Sequence, residues 1–206
     1  MSPRGRPRAF DREAALQRAM YVFWEHGYEG ASLADLTEAM NIGSPSLYAA
    51  FGNKEALFRD AVALYGATAG NRTARALSDE PTARAAIEAM LRGNAEDYLL
   101  PGRPPGCMLV VTACICANQG IRDFLAERRR HGRDLVKQRL RRGIDDGDLP
   151  DGVDVDSMAT FYTAVLNSLS MQARDGATTD EMTAIVDGAM AVWITYVTTA
   201  TVKAGI

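Results

Sequence analysis

The sequence is short of cysteine, of histidine and of strand-like alternation. It has three cysteines and two histidines in 206 residues. An odd number of cysteines forms no paired disulfide framework, and Cys107 and Cys114 lie about two helical turns apart, which is beyond disulfide reach. His26 and His131 stand at no metal-ligand spacing from each other or from a cysteine. We therefore expect no metal site, no cofactor and no secreted disulfide scaffold.

Long apolar runs are also missing. No stretch reaches the roughly 18 to 20 apolar residues that span a bilayer, and the N-terminus has no signal-peptide core. The longest uncharged segments, residues 157–173 and 188–202, are interrupted by Thr, Ser, Asn and Gln. These features predict a cytoplasmic protein with no membrane partner.

Motifs of catalysis are absent as well. The sequence has no Gly-rich phosphate loop, no H-E-x-x-H and no G-x-S-x-G, so we do not expect an enzyme. Apolar residues make up 47% and charged residues 24%, as in an ordinary soluble protein. Val/Ile/Thr alternation is nearly absent and helical periodicity runs throughout, which predicts an all-α fold of about nine helices.

The most informative segment is residues 32–58. Ser32 followed by Asp35 predicts an N-terminal cap, and an apolar stripe at helical spacing continues from it. Gly43 supplies a turn, and Pro45 suits the first turn of a second short helix. This arrangement is a helix-turn-helix, whose second helix enters the DNA major groove.

Each of the predicted DNA-binding residues carries a hydrogen-bond donor or acceptor or a small apolar group. Leu47 and Phe51 should face the core, which leaves the other side of the second helix for DNA. The N-termini of two helices, one at Ser32 and one at Lys54, are each suited to bind a DNA phosphate. The predicted set on these elements is Ser32, Ser44, Pro45, Ser46, Tyr48, Ala49 and Lys54.

Two basic segments need separate interpretations. Arg4, Arg6 and Arg8 resemble an AT-hook core that enters a narrow minor groove, and a solubilising tail is the alternative. The run at residues 127–142 is a second DNA surface or, as we favour, a solvated helix face.

A set of residues spread over the first third of the chain resembles the TetR/AcrR family of transcription regulators. They are Phe23, Gly27, Tyr28, Ser32, Leu33, Leu36, Ile42, Ser46, Leu47, Tyr48, Phe51, Asn53, Lys54, Glu55, Leu57 and Phe58. The resemblance implies a repressor that binds a palindromic double-stranded DNA operator as a homodimer and is released by a small molecule. Many relatives carry His, Arg or Tyr where this chain has Ala49 and Ala50. The alternative is therefore a helical binding protein or enzyme with a degenerate DNA-binding end.

The chain divides by this interpretation into a helix-turn-helix domain at residues 1–52 and a helical domain at residues 53–206, which binds the effector and dimerises. We expect a continuous helix across residues 66–71. The last two helices are apolar on nearly every side, which predicts pairing with a second copy; burial within the same chain is the alternative. The predicted interface residues are Val165, Leu169, Ile185, Ala189, Met190, Trp193, Tyr196 and Val197.

The effector pocket is predicted from apolar and aromatic residues of the middle helices, each of which also suits ordinary core. They are Met90, Tyr98, Met108, Val111, Ile115, Phe124, Tyr162 and Leu166. With no charged group evident among them, we expect a largely apolar effector. Cys107 opens a helix, where the dipole favours a thiolate, so it is a candidate oxidant or electrophile sensor; plain packing is the alternative.

Overall fold

The computed structural model describes residues 11–203, with the side chains of all but residues 114, 115 and 201–203. Eleven α-helices and no strand occur in that range, which confirms the all-α prediction. The helices are α1 Arg12–Gly30, α2 Leu33–Met40, α3 Ser44–Phe51, α4 Lys54–Ala67, α5 Arg72–Asp79, α6 Ala83–Tyr98, α7 Met108–Ile115, α8 Gln119–Asp145, α9 Val155–Arg174, α10 Thr179–Ala191 and α11 Trp193–Lys203. Two more helices are found than predicted, because α5 was not foreseen and the last predicted helix divides at Val192.

The bounds of the N-terminal helices follow from local capping. The carboxylate of Asp11 accepts a hydrogen bond from the Ala14 amide at 3.0 Å and starts α1. Gly27, at φ 71°, interrupts the regular helix, and α1 continues beyond it to Gly30. Ser32 and Asp35 form the predicted capping box of α2, in which each side chain accepts the other's backbone amide.

An aromatic cluster holds α1 to α4. The ring of Phe23 meets that of Phe58 edge to face at 5.1 Å, and Trp24 meets Tyr65 in the same way at 4.9 Å. All four rings are buried. Edge-to-face pairs of this kind add about 0.5–1.5 kcal/mol each beyond the burial of their area. Helix α4 is therefore fixed to the same core as the helix-turn-helix.

The expected continuous helix across residues 66–71 is wrong. Helix α4 ends at Ala67, and the Tyr65 carbonyl accepts the amides of Thr68 and Gly70 at 3.1 and 2.7 Å. A Cβ on residue 70 would lie 2.5 Å from the Tyr65 ring, so this turn requires glycine. Helix α5 begins after this turn, at Arg72, and α5 and α6 both pack beside α8.

The C-terminal helices form a bundle from which α7 departs. Helices α5, α6, α8, α9 and α10 enclose a core that includes Ile87, Leu91 and Tyr162. Helix α7 instead inserts Met108 into the N-terminal core. The indole of Trp24 donates a buried hydrogen bond to the Gly106 carbonyl at 3.1 Å, just before α7. The two parts of the chain therefore share packed side chains and a buried polar contact.

Residues Thr179–Ala200 have the length and mean hydropathy, 1.2, of a membrane span, contrary to the expectation that no segment would. Composition alone does not separate such a span from a helix of a soluble core. Met182, Val186 and Trp193 of this segment lie in the bundle core. Only 28% of the apolar window is buried, however, so one face of α10 and α11 stays open to a further contact.

The loop before α7 allows a matched test of close packing. Gly102 and Gly106 both have positive φ, 81° and 76°, but only at Gly106 would a Cβ collide, at 2.5 Å from the Ser170 carbonyl oxygen. We expect Gly102→Ala to lower the free energy of unfolding by about 1–2 kcal/mol. Gly106→Ala should lower it by about 1–3 kcal/mol more, since the backbone must also shift. Urea unfolding at one protein concentration measures both; equal losses would contradict the packing described here.

Candidate nucleic-acid interface and ligand cavity

Helix α3 has a buried side and an exposed side. Leu47 and Phe51 are buried, as predicted, and anchor the helix on α1 and α4. The predicted contact residues Ser44, Pro45, Ser46, Tyr48 and Ala49 are all exposed. Tyr48 is 45% exposed, which is unusual for a large ring and leaves both its face and its hydroxyl free for a partner. The helix thus presents hydroxyl groups and a small apolar surface to solvent.

Two helix starts flank this surface. Ser32 caps α2, and the Asp35 side chain that completes the box has a lowered pKa because it accepts hydrogen bonds from Ser32. Asn53 caps α4 by accepting the Ala56 amide at 2.8 Å. Lys54 follows, with its Nζ 4.7 Å from the centre of the Tyr28 ring; partial burial lowers its pKa. Each start offers amides without helical acceptors, an arrangement suited to an anion.

Arg12 is a positioning residue that the sequence analysis missed. Its Nη2 lies 2.6 Å from the Asp60 carboxylate, its Nε 3.5 Å from the Ala50 carbonyl, and its guanidinium 4.5 Å from the centre of the Phe51 ring. One side chain of α1 therefore contacts both α3 and α4. Its partners are about 40 to 50 residues away in the chain, so no local pattern could have revealed them. The predicted arm residues Arg4, Arg6 and Arg8 lie outside the described residues.

A cavity of about 460 Å³ lies between α4 and the helices of the C-terminal part. Its wall is formed by the end of α4, the following turn and α5 through α9. Apolar lining comes from Val62, Leu109, Val110, Leu135 and Leu166, among others, and polar lining includes Tyr65, Asn94, Tyr98 and Asn167. Its volume and mixed lining are typical of a small-molecule site.

The structure brings two of the eight predicted pocket residues, Tyr98 and Leu166, to this cavity. Five others lie elsewhere: Met90 and Tyr162 in the bundle core, Met108 and Val111 in the N-terminal core, and Phe124 between the guanidinium groups of Arg59 and Arg128. The Ile115 side chain is outside the described atoms. Helical periodicity identified the buried faces of the helices. A cavity forms where such faces do not meet, and the position of that gap depends on the turn after α4.

Cys107 reaches the cavity from the N-cap of α7. It is half-buried, and its thiol lies beside the hydroxyls of Tyr65 and Tyr98. Burial, with the neighbouring thiol, raises the pKa of Tyr98 and keeps that hydroxyl a neutral donor. Cys116 is buried, and its thiol pKa is raised mainly by burial. A sensor role for Cys107 stays a prediction.

The basic run at residues 127–142 is not a uniform solvated face. Arg130 and Arg141 are exposed as expected, whereas Arg139 is buried against the Glu80 carbonyl and 3.8 Å from Asp148. Arg129 and Arg133 line the cavity.

Four predicted dimer residues are enclosed by their own chain. Leu169, Ala189, Met190 and Trp193 are buried in the bundle core, so they have little surface to offer a second copy. Val165, Ile185, Tyr196 and Val197 are half-buried at its edge. The exposed positions beside them are small or apolar: Thr160, Ala164, Ser168, Ala184, Gly188, Ala191 and Ile194. We call these seven residues the uncharged face.

A helix-turn-helix with an exposed second helix, packed on a larger helical bundle, is the architecture of a DNA-binding transcription regulator. The sequence profile of bacterial regulatory proteins of the tetR family matches residues 15–61. The profile of the tetracyclin repressor-like C-terminal domain matches residues 81–186. The chain belongs to the TetR family, and it is a transcriptional regulator of the repressor type rather than an enzyme.

Relatives match over nearly the whole chain. The HTH-type transcriptional repressor ComR of Escherichia coli K12 is 33% identical over 193 residues, 92% of each chain. A cysteine variant of the TetR family regulator CifR, solved with a 26-base-pair operator, is 46% identical with a TM-score of 0.87, covering 91% of this chain and all of that one. A TetR regulator from Rhodococcus sp. RHA1 is 39% identical with a TM-score of 0.60, over 86% of this chain and 96% of that one.

Adjacent residues of α3 allow a test of its two sides. Leu47→Ala should lower the free energy of unfolding by about 2–5 kcal/mol, because it leaves a cavity in the N-terminal core. Tyr48→Ala should change it by less than about 0.5 kcal/mol, because this ring is largely exposed. Urea unfolding of both variants measures the difference. A loss at Tyr48 as large as that at Leu47 would contradict the exposed position of this ring.

Proposed function

We propose that the protein binds a palindromic operator as a homodimer and that a small molecule in the cavity releases it. The observation that carries this proposal is the exposed face of α3, which lies opposite the buried side chains of Leu47 and Phe51. Two such faces in a two-fold dimer would meet successive major grooves about one helical turn of DNA apart. The protein would then act in the cytoplasm, where such an operator is accessible.

The proposed DNA contacts divide by chemistry. The hydroxyls of Ser44 and Ser46 suit base edges or phosphates, and the methyl group of Ala49 suits a thymine methyl. Tyr48 and Lys54 are assigned to phosphate oxygens, as is the start of α2 at Ser32. Phosphate contacts fix register and supply most of the salt dependence, while sequence preference comes from α3 and from DNA shape.

The remaining predicted contacts are the three arginines of the N-terminal arm and Pro45. Arg4, Arg6 and Arg8 would enter an adjacent minor groove, where a narrow A·T-rich duplex is most negative. Pro45 would shape the start of α3 rather than contact a base.

Dimerisation is proposed through the uncharged face. The exposed positions of α9 and α10 on this face carry no charge, and Ile194 is 64% exposed. Small side chains let helices approach closely, as a two-fold four-helix contact requires. The half-buried Val165, Ile185, Tyr196 and Val197 would border this contact.

Ligand control is proposed to act through α4. Val62, Tyr65 and Gly66 near its end line the cavity, while Lys54 at its start belongs to the proposed DNA surface. A ligand that prefers one position of α4 shifts the dimer toward it. By linkage, DNA must weaken ligand binding by the same factor as ligand weakens DNA binding.

A binding protein with a degenerate DNA-binding end is the competing function. The small side chains of Ala49 and Ala50 favour it, since they reach little way into a groove. Tyr48 argues against it, because this large ring is 45% exposed beside Ser44 and Ala49, where a DNA contact would lie.

Selection from a randomised pool of duplexes by the purified protein tests the proposal. We expect enrichment of one inverted repeat at moderate salt. Recovery of unselected sequences, or of none, would favour the competing function.

Two variants test the assignment of contacts on the selected duplex. Lys54→Met should reduce the slope of log K against log salt by about 0.9 for each protomer, since one phosphate contact is lost. Tyr48→Ala should weaken binding without unfolding the protein. Fluorescence anisotropy at several salt concentrations measures both. Lys137→Met is the control, because Lys137 pairs with Asp156 on α9 and should leave the slope unchanged.

A charge placed on the uncharged face should break the dimer. Ala164→Glu would bury two carboxylates near the two-fold axis, and we expect a monomer in sedimentation at micromolar protein. Ala67→Glu, at the exposed end of α4, should leave the dimer intact. A dimer that persists in Ala164→Glu would move the interface elsewhere.

A further inference from the structure

The lining of the cavity is strongly biased in charge. Arg128, Arg129, His131 and Arg133, all on α8, contribute to the wall, and none of the lining residues is an aspartate or glutamate. This contrasts with the rest of the described surface, where most arginines pair with nearby carboxylates, as Arg72 does with Asp97 at 2.9 Å. The cavity wall therefore carries three guanidinium groups and no carboxylate.

Arg133 is the most telling of these residues. Its Nε is buried and has no hydrogen-bond partner, and no ion pair of Arg133 is found among the described residues. An unpaired buried donor of a charged group is destabilising unless something binds to it. Nearby, the Nη1 of Arg129 donates to the Leu109 carbonyl at 3.2 Å, and the Arg128 guanidinium lies 5.4 Å from the centre of the Phe124 ring. These two have contacts of their own, so Arg133 is the natural anchor for a ligand.

The rest of the wall defines the body of that ligand. Val62, Leu109, Val110 and Leu166 provide apolar surface on three different helices. Tyr65 and Tyr98 add neutral hydroxyl donors beside Cys107. A predominantly apolar wall with one cationic side fits a molecule that carries a single charge at one end.

We propose that the effector is an amphipathic monocarboxylate, held by Arg133 with Arg129 beside it and covered along its apolar body by α4, α7 and α9. A guanidinium binds a carboxylate through parallel hydrogen bonds, which gives the ligand one orientation. This inference rests on the proposed ligand control and specifies its chemistry. It differs from the expectation of a largely apolar effector, because the pocket predicted from the sequence contained none of these arginines.

The test compares acids with their neutral amides. Calorimetry would use octanoate against octanamide and 4-phenylbutyrate against its amide, with the full-length protein in the absence of DNA. In at least one pair we expect the carboxylate to bind 10-fold or more tightly than the amide. In Arg133→Gln the carboxylate should fall to the affinity of the amide, and Arg133→Lys should restore part of the difference. Arg130→Gln is the control, because Arg130 is exposed on the same helix and does not line the cavity.

Thermal unfolding separates a ligand anchor from a structural arginine. Without ligand, Arg133→Gln should melt at or above the temperature of the parent protein, since it removes a buried Nε donor that has no hydrogen-bond partner. A lower melting temperature in both Arg133→Gln and Arg133→Lys, or equal affinity within both acid–amide pairs, or no binding by either pair, would overturn the inference. Operator selection with unliganded protein is independent of these results, so a failure there would instead reject the proposed DNA function.

Discussion

The arrangement depends on α7 packing into the core of the N-terminal helices. Met108 enters that core, and the preceding Gly106 carbonyl accepts the indole hydrogen bond of Trp24. Breaking the hydrogen bond would leave a buried donor without a partner, so this contact stabilises the packing of the two parts against each other. Helix α7 also forms part of the cavity wall, through Leu109 and Val110 with Cys107 at its N-cap.

The two proposed sites differ in the charge of their side chains. The surface of α3 is nearly neutral and carries hydroxyls, so its specificity would come from shape and short contacts, with cations supplied at its borders. The cavity instead concentrates guanidinium groups of α8 against an apolar wall. The net charge of −3 reveals neither feature, because both depend on where a few side chains lie.

The sequence predicted the N-terminal helices well because their signals are local. The capping box at Ser32 and the buried pair on α3 follow from spacing alone. The turn at Gly70, the contacts of Arg12 and the cavity wall could not be predicted, because each joins residues that come together only after the helices pack. The same limit explains why Trp193 was assigned to a dimer contact: an apolar pattern shows that a residue is buried, but not by which chain.

Helix α4 ends before α5 begins, so the two helices are not one continuous rod. Its 14 residues form a rod about 21 Å long, bounded by Asn53 and by the turn that Gly70 permits. If a rod of that length tilts by about 5° about one end, its other end moves by about 2 Å. Had α4 run on into α5, such a tilt would have to carry α5 with it; the turn after Ala67 removes that constraint, so α4 can tilt only together with the N-terminal core on which it packs.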